Sequence, residues 1–428
     1  MNHPSGAGAA RPAPFTDPSM PDDPARPHAV LLYHYFHPDD VVSARLFAEL
    51  AEGLVERGWD VTAVPSNRGC RGDGLRYELA EDWRGVAIRR VWRPAFRQSR
   101  NRGRVLNAAW MLAAWTVAAA ALRRRRREVM VVGTDPILGV LAALPWRALR
   151  WRSGIVHWCH DLYPEAPIAE GMLDGESRPV KLLKRLLAAA YERCDVLADL
   201  GPCMRDRLAR YGSAAKRTTL TPWSLVEPHR PVEADPATRS DLFGDAGLGL
   251  LYSGNFGRAH GHSEFLALAR AVRGNPIRLC FAGRGNRMDE LKAAVGPGDL
   301  NVSFAGFAPE SELEKRLGAC DLHLVSLRPE WAGTVVPSKF FGALAAGRGV
   351  VYAGPPASSI GRWIAEYGIG WVLTPESLPE VARELRGLAG DRGALAALRN
   401  RCHDVYREHF SKARQIGRWD DELRALLK

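Results

Sequence analysis

The run Val335-Val336-Pro337-Ser338-Lys339-Phe340-Phe341-Gly342-Ala343-Leu344-Ala345-Ala346-Gly347-Arg348 joins a polar turn to a helix of small residues, and Gly349-Val350-Val351-Tyr352-Ala353 follows as a strand. Turn, helix and strand in that order make one unit of a parallel α/β layer. The Pro-Ser entry leaves the first N–H groups of the helix without backbone partners, so its positive end suits an anion, and Lys339 adds a formal charge. An ordinary capped helix is the competing reading of the same residues.

Outward from this run the unit repeats. Leu248 to Tyr252, Ile277 to Ala282, Val302 to Ala305, Leu322 to Val325 and Val350 to Ala353 read as strands separated by helical segments. Turn residues follow them at Ser253-Gly254-Asn255-Phe256-Gly257-Arg258, Gly283-Arg284-Gly285-Asn286 and Gly306-Phe307-Ala308-Pro309. Ligands of doubly wound sheets bind beyond the carboxyl ends of the strands, so these loops and the Pro-Ser-Lys turn are predicted to share one crevice. Upstream, Ala29 to Tyr33, Asp60 to Val64, Val129 to Val132, Ile155 to Trp158 and Val196 to Ala198 alternate with helices such as Ser43 to Arg57 and Lys181 to Arg193. The predicted fold is α/β, with two doubly wound, Rossmann-like parallel sheets facing a cleft. Its expected parts are a Pro-rich disordered extension over 1–27, an amino domain over 28–226, a linker over 227–245, a carboxy domain over 246–405 and a last helical segment over 406–428 that crosses back to the amino domain.

Composition bounds the function. With 428 residues, 46% hydrophobic and 25% charged, the chain is of globular type and long enough for two cores. A net charge of +11, carried mainly by arginine, favours an anionic partner: nucleic acid, acidic lipid or a phosphorylated substrate. The seven cysteines are dispersed and form no C-x-x-C pair, which argues for reduced thiols and against a zinc site. There is no G-x-G-x-x-G after the first strand, no P-loop and no D-x-D. These absences disfavour the usual dinucleotide site, the nucleotide P-loop and a metal-bridged sugar diphosphate. A diphosphate would then be neutralised without a metal, by helix ends and by cations such as Lys339 and Arg258.

His157-Trp158-Cys159-His160-Asp161-Leu162-Tyr163-Pro164-Glu165, Tyr252-Ser253-Gly254-Asn255-Phe256-Gly257, Phe281-Ala282-Gly283-Arg284-Gly285 and Val336-Pro337-Ser338-Lys339 occur in that order. Together they resemble the two-domain (GT-B) family 4 glycosyltransferases, in the branch that builds bacterial O-antigen and exopolysaccharide, over nearly all of residues 28 to 428. The resemblance implies a retaining, metal-independent transferase with no cofactor, which takes a nucleotide-sugar donor, usually UDP-linked. It implies donor binding through Gly254, Asn255, Arg258, His260, Gly283, Phe307, Gly333, Thr334, Pro337, Ser338 and Lys339, and catalytic candidates His160, Asp161 and Glu165. The family's E-x7-E signature is missing, because Thr334 and Gly342 stand at its two glutamate positions, and Asn255 and His260 align with its phosphate-binding arginine and lysine.

Val105 to Leu122 is an apolar, Ala-rich helix flanked by arginines, among them Arg123, Arg124, Arg125, Arg126 and Arg127 after it. Its length tempts a membrane-spanning reading. Asn107, its place between two strands and arginines at both ends instead favour a helix lying on an anionic membrane surface, with Trp110, Met111 and Trp115 toward the lipid. Trp146, Arg147, Arg150, Trp151 and Arg152 form a second basic-aromatic patch. Taken with the family resemblance, which implies the nucleotide-sugar donor, these patches make the expected partners a nucleotide-sugar, a lipid-linked and specifically polyprenyl-diphosphate-linked acceptor, and the cytoplasmic face of the cell membrane, with no nucleic acid. Three alternatives are a sugar-nucleotide epimerase of the same architecture, a transferase acting on a soluble acceptor, and a basic nucleic-acid-binding protein. The last lacks a recognisable binding module.

Overall fold

Short β-branched and apolar runs bounded by Gly, Pro and Asp form the strands, and helices with one apolar face cover them. A computed structural model describes residues 26–70, 74–97 and 101–427. Apart from Arg26 and Pro27, the extension expected over 1–27 lies outside the described residues. The strands are β1 (His28–Leu32), β2 (Asp60–Ala63), β3 (Ala80–Trp83), β4 (Val86–Arg89), β5 (Glu128–Gly133), β6 (Gly154–Trp158), β7 (Val196–Asp199), β8 (Lys216–Thr219), β9 (Leu248–Asn255), β10 (Ile277–Arg284), β11 (Val302–Ala305), β12 (Leu322–Ser326), β13 (Gly349–Ala353) and β14 (Gly370–Leu373). They make one sheet of order β3-β4-β2-β1-β5-β6-β7-β8 and another of order β11-β10-β9-β12-β13-β14. Of these strands, β3, β4, β8 and β14 are not foreseen by the sequence pattern.

The chain divides into two compact units. One holds the described residues up to Trp158 with Ala189–Leu197 and the segment from Asp420, and the other holds Cys159–Ala188 and Ala198–Trp419. These limits differ from the sequence boundaries in that Cys159–Ala188 and residues 198–226, expected in the amino domain, belong to the second unit.

In the first unit, helix α1 (Val42–Glu56) buries Leu46, Phe47, Leu50 and Leu54. Phe47 stacks on Tyr33 at 4.2 Å between centroids and tilts against Trp158 at 4.9 Å. A side chain at Gly133 would stand 2.4 Å from the Tyr33 ring, so only glycine fits beneath the stack. The antiparallel pair β3–β4 turns through Arg84 and Gly85, both at positive φ (48° and 80°), as a two-residue hairpin of the right-handed sheet twist requires. The last segment returns to this unit: Trp59 Nε1 donates to Asp420 Oδ1 at 2.6 Å, and Leu426 packs over Gly154.

Helix α2 (Asn101–Ala121) is long and apolar enough to cross a membrane by length and composition, but a third of its apolar stretch is buried in the fold. The structure corrects the lipid-facing set. Trp115 is buried, with its indole N–H on the Val64 carbonyl at 2.8 Å, and Met111 is buried beside it. Both belong to the core because they fall on the stripe that also carries Asn107, Ala108, Ala118 and Ala119. Trp110 is exposed, its N–H held by the Trp92 carbonyl at 2.7 Å, and Val105, Leu106 and Val117 are exposed with it. In the second patch Trp146 and Arg150 are core residues, whereas Trp151 is exposed.

The second unit's sheet is parallel throughout. β9 pairs with β10 from Leu248↔Ile277 to Asn255↔Arg284, and with β12 at Leu250↔Leu322. Its core gathers Leu250, Tyr252, Phe256, Phe265, Phe281, Leu324 and Leu385. The order reverses between β9 and β12, the switch point at which such sheets hold ligands.

Candidate functional site

β9 continues past its apolar run to Asn255, and Gly254 takes φ +115° there. A Cβ on Gly254 would lie 3.3 Å from Lys339 Cε, so the bare backbone leaves a path for the lysine stem. Lys339 opens the helix Lys339–Ala345, is half-buried, and reaches over the Tyr252 ring at 5.1 Å. Its ammonium donates to His260 Nε2 at 3.3 Å. His260 is buried, and its Nδ1 lies 2.7 Å from the Ser326 carbonyl. A carbonyl only accepts, so Nδ1 carries the proton and Nε2 is left as the acceptor for the lysine. Burial, and then the Lys339 charge, push His260 down to about 3, while burial pushes Lys339 down to about 8. At neutral pH the pair is therefore a neutral imidazole and a charged ammonium.

Among the described residues Lys339 makes no ion pair. A desolvated cation of this kind is costly unless an anion arrives to meet it. Ser338 is exposed and helical (φ −64°, ψ −20°), and its side chain does not cap the helix, so the hydroxyl is free of the capping role that its sequence position suggests.

The other predicted donor residues fall into two groups. Asn255 and Phe307 are exposed, and Arg284 stacks on Phe307 at 4.3 Å. Gly283, Gly333 and Thr334 instead have packing reasons. A Cβ on Gly283 would stand 1.9 Å from the Gly254 carbonyl across the β9–β10 ladder, and one on Gly333 (φ +75°) would stand 2.5 Å from the Cys203 carbonyl. Thr334 is wholly buried, and its carbonyl accepts from Leu162 N at 3.0 Å, which fastens the His160–Pro164 turn to the loop before Pro337, itself buried. Arg258 is not gathered with Lys339: its Nε stands 3.8 Å from Glu170, and its Nη1 donates to Met172 Sδ at 2.9 Å.

Of the catalytic candidates, His160 follows β6 and is half-buried, and Asp161 next to it is exposed. Glu165 is buried and accepts from the Tyr211 hydroxyl at 2.7 Å, which together with burial raises Tyr211 well above the ordinary phenol range. This bond gives Glu165 the surroundings of a structural anchor. Tyr252, Ser326 and Tyr211 are parts of the constellation that sequence reading misses. Tyr252 is visible in the sequence as a strand residue and as part of the motif that carries the resemblance, not as a ring beneath the lysine, and a backbone carbonyl such as that of Ser326 leaves no mark on residue type.

Residues 43–223 match Glycosyltransferase Family 4. WbjE of Pseudomonas aeruginosa, named for glycosyl transfer, is 29% identical over 266 residues, which are 61% of this chain and 66% of WbjE. WcaI of Escherichia coli, named for glycosyl transfer in colanic acid biosynthesis, is 28% identical over 277 residues, covering 62% of this chain and 67% of WcaI. The matched stretch thus spans about two thirds of each relative. The solved structure of Anabaena HepE in complex with UDP and glucose superposes with a TM-score of 0.62 at 13% identity, covering 93% of this chain and 99% of that one.

Proposed function

We propose that this chain, whose residues 43–223 match Glycosyltransferase Family 4, is a glycosyltransferase of that family and of GT-B fold, and that it transfers a sugar from a UDP-linked donor, with retention of configuration, to a polyprenyl-diphosphate-linked acceptor in bacterial surface polysaccharide synthesis. The single observation that carries the donor half is the unpaired Lys339 ammonium held by His260 beside Gly254. Negative charge grows on the diphosphate as the sugar–phosphate bond breaks, so a fixed cation there stabilises the transition state more than the ground state. His260 keeps that cation aimed because Ser326 locks its tautomer. The names of WbjE and WcaI, and the UDP bound to HepE, support the substrate class. On this reading His160 assists departure of the leaving group, the role that the family resemblance implies for it.

Isothermal titration with UDP tests the donor site. Lys339→Ala should weaken binding by about 2 kcal/mol, a loss of one charge-assisted contact, with the circular dichroism spectrum intact. UDP affinity equal to wild type would remove Lys339 from the site. Turnover should also persist in EDTA, because on this reading the lysine does the work of a metal.

The same reading places the protein on the cytoplasmic face of the cell membrane. Its support is the exposed apolar side of α2, where Val105, Leu106, Trp110 and Val117 lie between Arg102 and Arg104 at one end and Arg123 to Arg127 at the other.

A further inference from the structure

The end of α2 carries a feature that the transfer reaction does not use. Arg150 is buried, and its Nε donates to the Ala119 carbonyl at 2.6 Å, with a second N–H on the Leu122 carbonyl. It thereby caps the last turn of α2 and brings Trp151 and Arg152 beside the helix end. Its Nη1 also meets Glu128 Oε2 at 2.5 Å, and Ser153 Oγ donates to Glu128 Oε1 at 2.6 Å, so the one carboxylate here is already answered. Arg125 is spent in the same way, on Asp60 at 2.6 Å. Among the described residues Arg124, Arg126 and Arg152 make no ion pair, and all three are exposed. With Leu149 and Trp151 they line a cavity of about 290 Å³ floored by Arg150 and Glu128.

The chemistry of this cavity is specific. Guanidinium forks match the oxygens of a phosphate, whereas a lone surface charge would not select one. Arg152 stacks on Trp151 at 4.5 Å, and that indole is 64% exposed, the pattern of a side chain that sits at a lipid interface. The exposed apolar side of α2 runs toward the same place. Glu128 begins β5 and Ser153 precedes β6, so the cavity lies at the amino ends of these strands, away from the carboxyl ends where doubly wound sheets bind substrates.

We propose that the cavity formed by Arg124, Arg126, Trp151 and Arg152 takes the phosphate of an anionic phospholipid headgroup and seats the end of α2 on the bilayer. This rests on the membrane reading of α2 given above. The test is sedimentation of the full chain with vesicles of phosphatidylcholine alone and with phosphatidylglycerol added. The variants are the triple change Arg124→Gln, Arg126→Gln and Arg152→Gln, the single Arg152→Gln, and Trp110→Ser. None of the three arginines has an ion-pair partner to lose, so UDP affinity and melting midpoint should match wild type. The triple variant should lose roughly a hundredfold in partition to phosphatidylglycerol vesicles, and the single variant roughly fivefold. If wild type does not sediment, the membrane reading falls and the cavity assignment with it. If wild type and the triple variant sediment alike while Trp110→Ser is released, the membrane reading stands and the cavity assignment is overturned. Inorganic phosphate supplies the remaining arm. If it raises the melting midpoint of wild type but not of the triple variant while both bind vesicles equally, the site holds free phosphate and the lipid assignment is overturned.

Discussion

At the residue scale, the proposed donor site rests on Lys339, a lysine kept charged at a cost in stability. Its ammonium is desolvated, which pulls it down to about 8, and its hydrogen-bond acceptor is a neutral imidazole. The lysine is charged below that value and loses its proton above it. UDP affinity should therefore be level up to about pH 8 and fall as the pH rises further, because the free protein must then take up a proton to bind. Lys339→Arg, ionised throughout this range, should flatten that profile even if it binds less well in absolute terms. Titrations at pH 7, 8.5 and 9.5 decide the matter, and an identical slope for both proteins would detach the pH dependence from this residue. The same burial means that the folded state disfavours the charged lysine below about 8. Removing the charge with Lys339→Met should raise the melting midpoint of the ligand-free protein while weakening UDP binding.

At the scale of the element, α2 separates two tryptophans five residues apart. Trp115 is buried with its N–H on Val64, and Trp110 lies on the exposed side. Trp115→Ala should cost about 3–5 kcal/mol in chemical denaturation, since it opens a large cavity and leaves a carbonyl without its donor. Trp110→Ser should leave stability within about 0.5–1 kcal/mol and reduce vesicle binding even at low salt, because an apolar insertion is not screened. If the two variants unfold alike, the face assignment is wrong.

At the scale of the whole molecule, both units bury neutral histidines. His157 in the first is held near 4 by burial despite its contact with the Val132 carbonyl, and in the second burial holds His323 near 4 and His260 near 3. An unfolded histidine takes its proton near 6.5. As the pH falls from 6.5 toward 4 the unfolded chain binds protons that the folded one refuses, so stability is lost on acidification through that window and is fully present above it. Each buried histidine should contribute on the order of 1–2 kcal/mol of this loss by pH 5. Urea denaturation at pH 7.5 and pH 5 checks the total, and His323→Gln should shrink the difference.

Apart from the edge strand β11, the strands that the sequence shows are interior ones, because burial on both faces demands unbroken apolar runs such as Leu248 to Tyr252. Three of the four strands it does not show, β3, β8 and β14, lie at sheet edges, and Ala80–Trp83 and Lys216–Thr219 are polar because one side of an edge strand meets water. Lys339 was legible as a cation after a turn. Its partner was not, because the bond to His260 depends on a carbonyl of β12 that any residue could supply. Glycine reads alike in a ligand loop and in a tight ladder, so only the 1.9 Å approach at Gly283 reveals a packing role there. Sequence periodicity alone determined that this is an alternating α/β chain, and residue type alone marked Lys339 as a cation after the Pro337-Ser338 turn. Which arginines are already answered by carboxylates, and which tryptophan of α2 faces out, was decided by tertiary structure, because pairing and burial depend on neighbours that lie far apart in the chain.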